Sequence, residues 1–367
     1  MTESSALPFT DLRPGEDAAA VSAAIGRVVE RGWFVLGPEV DAFETEFAAA
    51  CGAAFAVGVG NGTDAITLAL RALDIGPGDE VIVPALTAAF TGLAVIACGA
   101  RPRIVDVEPE TLTLDPDACA AAVTSMTKAI IPVHLYGQSS EMGAIRRIAD
   151  RHALAIVEDC CQAHLATDNG IPVGTRSHAA AFSFYPTKNL GALGDGGAVI
   201  TNDESIATRV RRLRNGGQRD RYRHVEAGVN SRLDELQAAV LRGRLPLLPG
   251  WTARRRQLAA QYRAQLPDSL ATIHERDPGH VYHLFPVRLP ARDELSAHLA
   301  RTGIGTLIHY PVPLSAQQAF AAYEPLPCPV ASAATSELLS LPLHPRLTDA
   351  DVARVVHDVR AFMNTDA

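Results

Sequence analysis

Val57-Gly-Val-Gly-Asn-Gly-Thr63 is the stretch from which the fold class is read. An apolar run beginning at Phe55 ends in a glycine-rich turn, and an amphipathic segment, Thr63–Leu73, opens directly after it. Backbone N–H groups at such a helix start, together with a threonine hydroxyl, suit a phosphate. The turn superficially resembles the dinucleotide fingerprint. The next strand, Val81-Ile-Val-Pro84, ends in proline and lacks the ribose-binding acid, so NAD is disfavoured.

The same alternation continues outward from this turn. Candidate strands are Phe55–Val59, Val81–Val83, Arg103–Val107, Ala129–Val133, Ala155–Glu158, Ala180–Phe184 and Gly197–Thr201. Between them lie candidate helices at Thr63–Leu73, Thr87–Ala97, Pro116–Val123, Ser140–His152 and Glu204–Asn215. Several strands are apolar throughout, as expected where both faces of a sheet are covered. The pattern predicts an α/β domain with a mostly parallel seven-stranded sheet. After Gly228 it changes. Ser231–Leu245 reads as a helix, Leu245-Pro-Leu-Leu-Pro-Gly250 as a breaker, and Trp251–Leu266 as a further helix. A strand at His283–Leu289 and helices at Arg292–Arg301 and Thr348–Phe362 complete a smaller α+β unit. The expected division is a large domain over 1–246 and a small one over 247–367.

The 367 residues carry 33 Lys+Arg against 41 Asp+Glu, a net charge of −8, which disfavours a nucleic-acid partner. No apolar run approaches the ~20 residues that span a bilayer, so no membrane association is expected. The N-terminal stretch 1–17 shows no basic region followed by an apolar run, so no secretory leader is expected. Six cysteines, at 51, 98, 119, 160, 161 and 328, form no CxxC pair. They fit a reducing cytoplasm and give no zinc site. The basic residues are almost all arginine; Lys128 and Lys188 are the only lysines. Any mechanism that needs an amine nucleophile has those two candidates.

Two further motifs complete a site. Ile156-Val-Glu-Asp159 places an acid at the carboxyl end of a buried strand, where open α/β sheets bind ligands. Ala181-Phe-Ser-Phe-Tyr-Pro-Thr-Lys-Asn189 ends a strand and presents a lysine in a glycine-crowded loop. Taken singly these are a tight turn, a helix N-cap and a surface charge. Taken together, a phosphate cradle, a strand-end aspartate and a loop lysine are the parts that hold pyridoxal phosphate.

On these residues and others the sequence resembles the DegT/DnrJ/EryC1/StrS family of sugar aminotransferases. The shared motifs include Leu36-Gly-Pro-Glu-Val40, Asn61-Gly-Thr-Asp-Ala65, Gly76–Pro84, Pro132–Gln138, Glu158-Asp159, Ser183–Leu190, Gly228–Glu235 and His309-Tyr-Pro311. The resemblance implies the aspartate-aminotransferase type I fold, pyridoxal 5′-phosphate as cofactor and a homodimer with shared active sites. It implies Lys188 as the Schiff-base lysine, Asp159 as the partner of the pyridinium nitrogen and Gln162 on the phenolic oxygen. Gly62, Thr63 and Ser183 would hold the phosphate, with Asn230 reaching the phosphate of the neighbouring subunit. Tyr185, His309, Tyr310 and Trp33 would line the substrate pocket.

The family usually carries an aromatic residue after the Pro-x-x-Thr of the second strand–helix turn, to stack on the pyridine. This chain has Ala88 there, with Phe90 as a possible substitute. The 228–239 and 303–311 segments resemble members that aminate C3 of nucleotide-linked 3-keto-6-deoxyhexoses, with glutamate or glutamine as donor. C4 amination of a 4-keto-sugar and amination of a keto-inositol are the alternatives. A non-catalytic cofactor-binding regulatory protein is the alternative of another class. A family-related dehydratase is disfavoured, because it would carry histidine at position 188. No Gly-x-Ser-x-Gly or His-Glu-x-x-His motif points to a hydrolase or a zinc enzyme.

Overall fold

A computed structural model describes residues 6–365. Residues 1–5, the start of the stretch in which no leader is expected, lie outside the described residues. Seven strands form the central sheet: β1 (Phe55–Val59), β2 (Glu80–Pro84), β3 (Arg101–Val105), β4 (Thr127–Ile130), β5 (Ala155–Asp159), β6 (Ala179–Ser183) and β7 (Gly197–Thr201). Their spatial order is β1-β7-β6-β5-β4-β2-β3. Every neighbouring pair is parallel except the two that β7 makes.

Alternate residues along one strand feed two different cores. Val57, Val81, Val83, Ala179 and Ala181 face one side, with Ile66, Leu70, Ala94 and Val210 from covering helices. Ala56, Ala180 and Phe182 face the other, against Phe43 and Phe47. Ile82, Ile130 and Ile156 meet Met142, Ile145 and Ile148 on that second side. Helices on both faces are the reason the strands read as unbroken apolar runs.

The C-terminal part has its own core of Leu258, Tyr262, Phe285, Val287, Leu295, Leu339 and Val355. Its small sheet pairs Ala271–Thr272, Phe285–Arg288 and Leu338–Leu341 in antiparallel fashion. Ile273, Leu284, Phe320 and Ala331 instead pack into the large core.

Several elements differ from the sequence expectation. The segment 245–250 does not break the chain. Glu235–Arg244 runs through a 3-10 turn at Leu245–Leu247 into the helix Leu248–Gln265. Each proline occupies a first-turn position, where its missing N–H costs nothing. Strands β3 and β4 begin and end two to three residues earlier than read, because the apolar runs continue beyond the ladder. Helices at Ala18–Arg31, Pro38–Cys51 and Pro329–Glu337 and the strand Leu338–Leu341 were not anticipated.

Two of the shared motifs meet in space. The Glu235 carboxylate accepts hydrogen bonds from the Gly37, Glu39 and Val40 amides at 2.9, 3.0 and 2.8 Å. It thereby caps the helix Pro38–Cys51 with a negative charge.

Candidate active site

The carboxyl ends of β1, β5 and β6 bring the predicted residues together. Gly62 opens the helix Gly62–Ala72, with Asn61 as N-cap accepting from the Asp64 amide at 2.8 Å. Amides of the first helical turn have no partner within the helix. Asn61 takes the one at Asp64, which leaves those of Gly62 and Thr63 to face a ligand. A side chain at position 62 would press on Cys161 Sγ and Ser183 Cβ at 2.8 Å each, so only glycine fits beside them. The turn is held from outside: Ser231 Oγ accepts from the Gly60 amide at 2.9 Å and donates to Asp64 Oδ2 at 2.6 Å.

Asp159 ends β5 and is buried. Its Oδ1 accepts from the Cys161 amide at 3.1 Å and its Oδ2 from the Thr91 hydroxyl at 2.8 Å. Lys188 follows β6 in the loop, its amide donating to Tyr185 O at 2.8 Å. Burial holds the Lys188 pKa below the ordinary lysine value, against the opposing pull of Cys161 and Asp159. A larger share of neutral amine is the consequence, which is what a nucleophile and base needs.

Gln162 is buried and its side chain is tied on both sides: Oε1 accepts from the Tyr136 amide at 2.7 Å, and Nε2 donates to the Tyr310 hydroxyl at 2.9 Å. One N–H of that amide stays free for a ligand. Tyr136 donates through its hydroxyl to His309 O at 2.6 Å. The His309 ring sits 3.0 Å from Ser340 Oγ, and burial with the Lys188 charge lowers its pKa to about 4. Gly62, Thr63, Asp159, Gln162, Ser183, Lys188, His309 and Tyr310 thus belong to one crevice.

Three predicted residues are more exposed than this buried and half-buried group. Tyr185 is 50% exposed and Trp33 53%. Asn230 is exposed, next to the Ser231 that ties its segment to the Asn61–Asp64 turn. Ala88 caps the helix Ala89–Ala97, and Phe90, 63% exposed, points to the surface and is no part of the crevice floor.

Sequence reading missed Thr91, Tyr136 and Cys161. Thr91 left a signal: it is the only polar side chain in Ala89–Ala97. His134, Glu158 and Cys160 also cluster, with ligand atoms within 4.8 Å of one another. His134 Nδ1 accepts from the Ser140 amide at 3.1 Å, so its proton is on Nε2, which donates to Glu158 Oε2 at 2.7 Å. That hydrogen-bonded pair uses the nitrogen a metal would need. Glu158 also accepts from the Gly174 amide at 2.7 Å, and these donors outweigh burial to keep its pKa low.

A model of the DegT/DnrJ/EryC1/StrS aminotransferase family matches residues 16–360. The chain belongs to that family. It is 49% identical to the dTDP-3-amino-3,4,6-trideoxy-alpha-D-glucose transaminase of Streptomyces venezuelae, over 98% of this chain and 97% of the relative. It is also 49% identical to the erythromycin biosynthesis sensory transduction protein EryC1 of Saccharopolyspora erythraea, over 97% and 99%. The crystal structure of Streptomyces venezuelae DesV in complex with a ketimine intermediate superposes with a TM-score of 0.95. It is 48% identical, covering 98% of this chain and 99% of that one. The enzyme is therefore an aminotransferase that uses pyridoxal phosphate. The crevice fits that cofactor: a glycine-only turn with free amides for a phosphate, a carboxylate at the strand end and a partly buried amine.

Proposed function

We propose that the enzyme moves an amino group from glutamate or glutamine to C3 of a dTDP-linked 3-keto-6-deoxyhexose. The observation that carries this is the convergence of Lys188, Asp159 and the Gly62 turn at one sheet edge. Bound there, pyridoxal phosphate supplies an aldehyde carbon that carries the amine between substrates and a ring that accepts electrons. Gly62, Thr63 and Ser183 would hold the phosphate. Asp159 would keep a proton on the ring nitrogen, and Gln162 would offer its remaining N–H to the phenolic oxygen. Lys188 Nζ takes the proton from the donor's α-carbon and returns one on the way back. His309, Tyr310 and Tyr185 shape the sugar pocket, with Trp33 at its outer side.

The relative's 3-amino product and the 228–239 segment support C3 over C4 or a keto-inositol. The functional unit is a homodimer in which Asn230 serves the neighbouring site. Support comes from the contiguous exposed residues Trp33, Phe34 and Val35. The hairpin Gln218–Asp220/Arg223–His224 presents Arg219, Arg221 and Arg223, a cationic group suited to a nucleoside diphosphate on a chain of net charge −8. We place the boundary between the two units near residue 246 and the enzyme in the cytoplasm; all six cysteines are free. None of the described helices is long and apolar enough to cross a membrane.

The test is a pair of half-reactions. Glutamate should bleach the visible absorbance of the cofactor-loaded protein, and a dTDP-3-keto-6-deoxyhexose should restore it. Restoration only by a 4-keto-sugar or a keto-inositol would move the assignment to those substrates. A chromophore that never bleaches would turn it into a regulatory binding protein.

A further inference from the structure

Asp159 Oδ2 accepts the Thr91 hydroxyl at 2.8 Å, and Thr91 Oγ1 lies 3.1 Å from Thr87 Oγ1. All three residues are buried. The direction of this chain is fixed by counting hydrogens. A carboxylate accepts only, so the single hydroxyl hydrogen of Thr91 goes to Asp159. The contact between the threonines must then run from the Thr87 hydroxyl to a lone pair on Thr91. Each donor in such a chain polarises the next and strengthens it, the more so away from water.

The geometry points to Thr91, reinforced by Thr87, as a positioning residue that holds the Asp159 carboxylate and keeps the shared proton on the cofactor's ring nitrogen. This deepens the proposed function and rests on Asp159 facing that nitrogen. Three protein donors engage the carboxylate: the Cys161 amide on Oδ1 at 3.1 Å, the Thr91 hydroxyl on Oδ2, and the Cys161 thiol. The amide and the hydroxyl hold the two oxygens from different sides and fix the rotation of the carboxylate. The main chain of Asp159 is held as well, its amide donating to Pro132 O at 2.9 Å and its carbonyl accepting from the His134 amide at 3.0 Å. The side-chain rotation is held by the Cys161 amide on Oδ1 and, on the opposite oxygen, by Thr91. Without that hydroxyl, Oδ2 competes more strongly for the proton, and the ring loses positive charge and electron-withdrawing power. The side-chain partners of Thr91 are Asp159 and Thr87, so it acts through Asp159.

The experiment uses the full-length protein loaded with cofactor labelled with 15N in the ring, with the nitrogen chemical shift as readout. Wild type should show a protonated ring nitrogen. T91V, which keeps the shape and removes the hydroxyl, should shift the signal toward neutral pyridine, and T91S should restore it. The donor half-reaction of T91V should slow about 10- to 100-fold, the range for losing a hydrogen bond to a charged group. T87V should shift the signal in the same direction by less. The double variant T87V/T91V should match T91V alone, because Thr87 acts only through Thr91. A wild-type signal in the protonated range with T91V unchanged would overturn the relay and leave the role of Asp159 standing. Additive effects of T87V and T91V would overturn the directed chain. An unprotonated ring in wild type would bring down both the relay and the assignment of Asp159. Should T91V fail to fold, T87V alone still decides: no shift there contradicts the directed chain.

Discussion

The crevice floor and the exposed segments beside it are built on opposite plans. On the floor, Thr91 holds Asp159 at 2.8 Å, and Gln162 is held between the Tyr136 amide at 2.7 Å and the Tyr310 hydroxyl at 2.9 Å, all within one chain. Outside it, Trp33, Phe34, Tyr185 and Tyr222 expose about half or more of their surface, Tyr222 reaching 79%. A single chain thus fixes the groups that handle the proton and the amine. Of the groups assigned to the sugar, His309 and Tyr310 are half-buried beside the floor, whereas Tyr185 and Trp33 are left exposed. The contrast predicts that floor variants change the chemical step, whereas outer variants change substrate affinity.

The largest effect should come from Lys188. K188A should lower transamination by at least about 10,000-fold, because it removes the proposed nucleophile and proton carrier. Stopped-flow bleaching with glutamate measures it; a near-normal rate would break the contrast at its strongest point. Burial lowers the Lys188 pKa. Its neutral form is therefore present at lower pH than that of an ordinary lysine, and the rate of cofactor capture by apoenzyme should rise with pH and level off earlier than lysine chemistry normally does. A rise that continues to the usual lysine range would contradict the desolvated amine.

D159N should cost about 100- to 1,000-fold in the same half-reaction, the scale of losing one preorganised charge at a reacting centre, with little change in KM for the donor. E158A tests the support beneath the floor. It leaves the His134 Nε2–H and the Gly174 amide buried without their shared acceptor. Denaturant unfolding should show a loss of about 2–6 kcal/mol, about 1–3 for each buried donor left without an acceptor. The smallest effect belongs to the exposed segments. R221A should raise KM for the nucleotide sugar only several-fold, since exposed ion pairs give about 0.2–1 kcal/mol, and added salt should shrink the difference. A collapse of kcat in R221A would show that floor and exterior are not separable.

Asp159, Lys188 and the Gly62 turn were legible in the sequence because they sit at strand ends and in glycine turns. Asp159 closes an apolar run, and Lys188 is one of two lysines in the chain. The helix Pro38–Cys51 was not legible, because it buries Glu39 and Glu44 where periodicity calls for apolar residues. Those acids are matched by distant partners: Arg27, Arg31 and Arg242 for Glu39, and Arg214 for Glu44. The helix Ala18–Arg31 was missed for another reason. Its apolar stripe is narrow and set among alanines, with only Val21, Ala24 and Val28 buried. Thr91 looked like an isolated polar residue in an apolar helix; its partner lies 68 positions away.

Reductive trapping tests the covalent role of Lys188 most directly. The cofactor-loaded protein is treated with borohydride, digested and mapped by mass spectrometry. A single pyridoxyl label on the peptide carrying Lys188 is the predicted result. A label on Lys128, or no label on either lysine, would contradict the account.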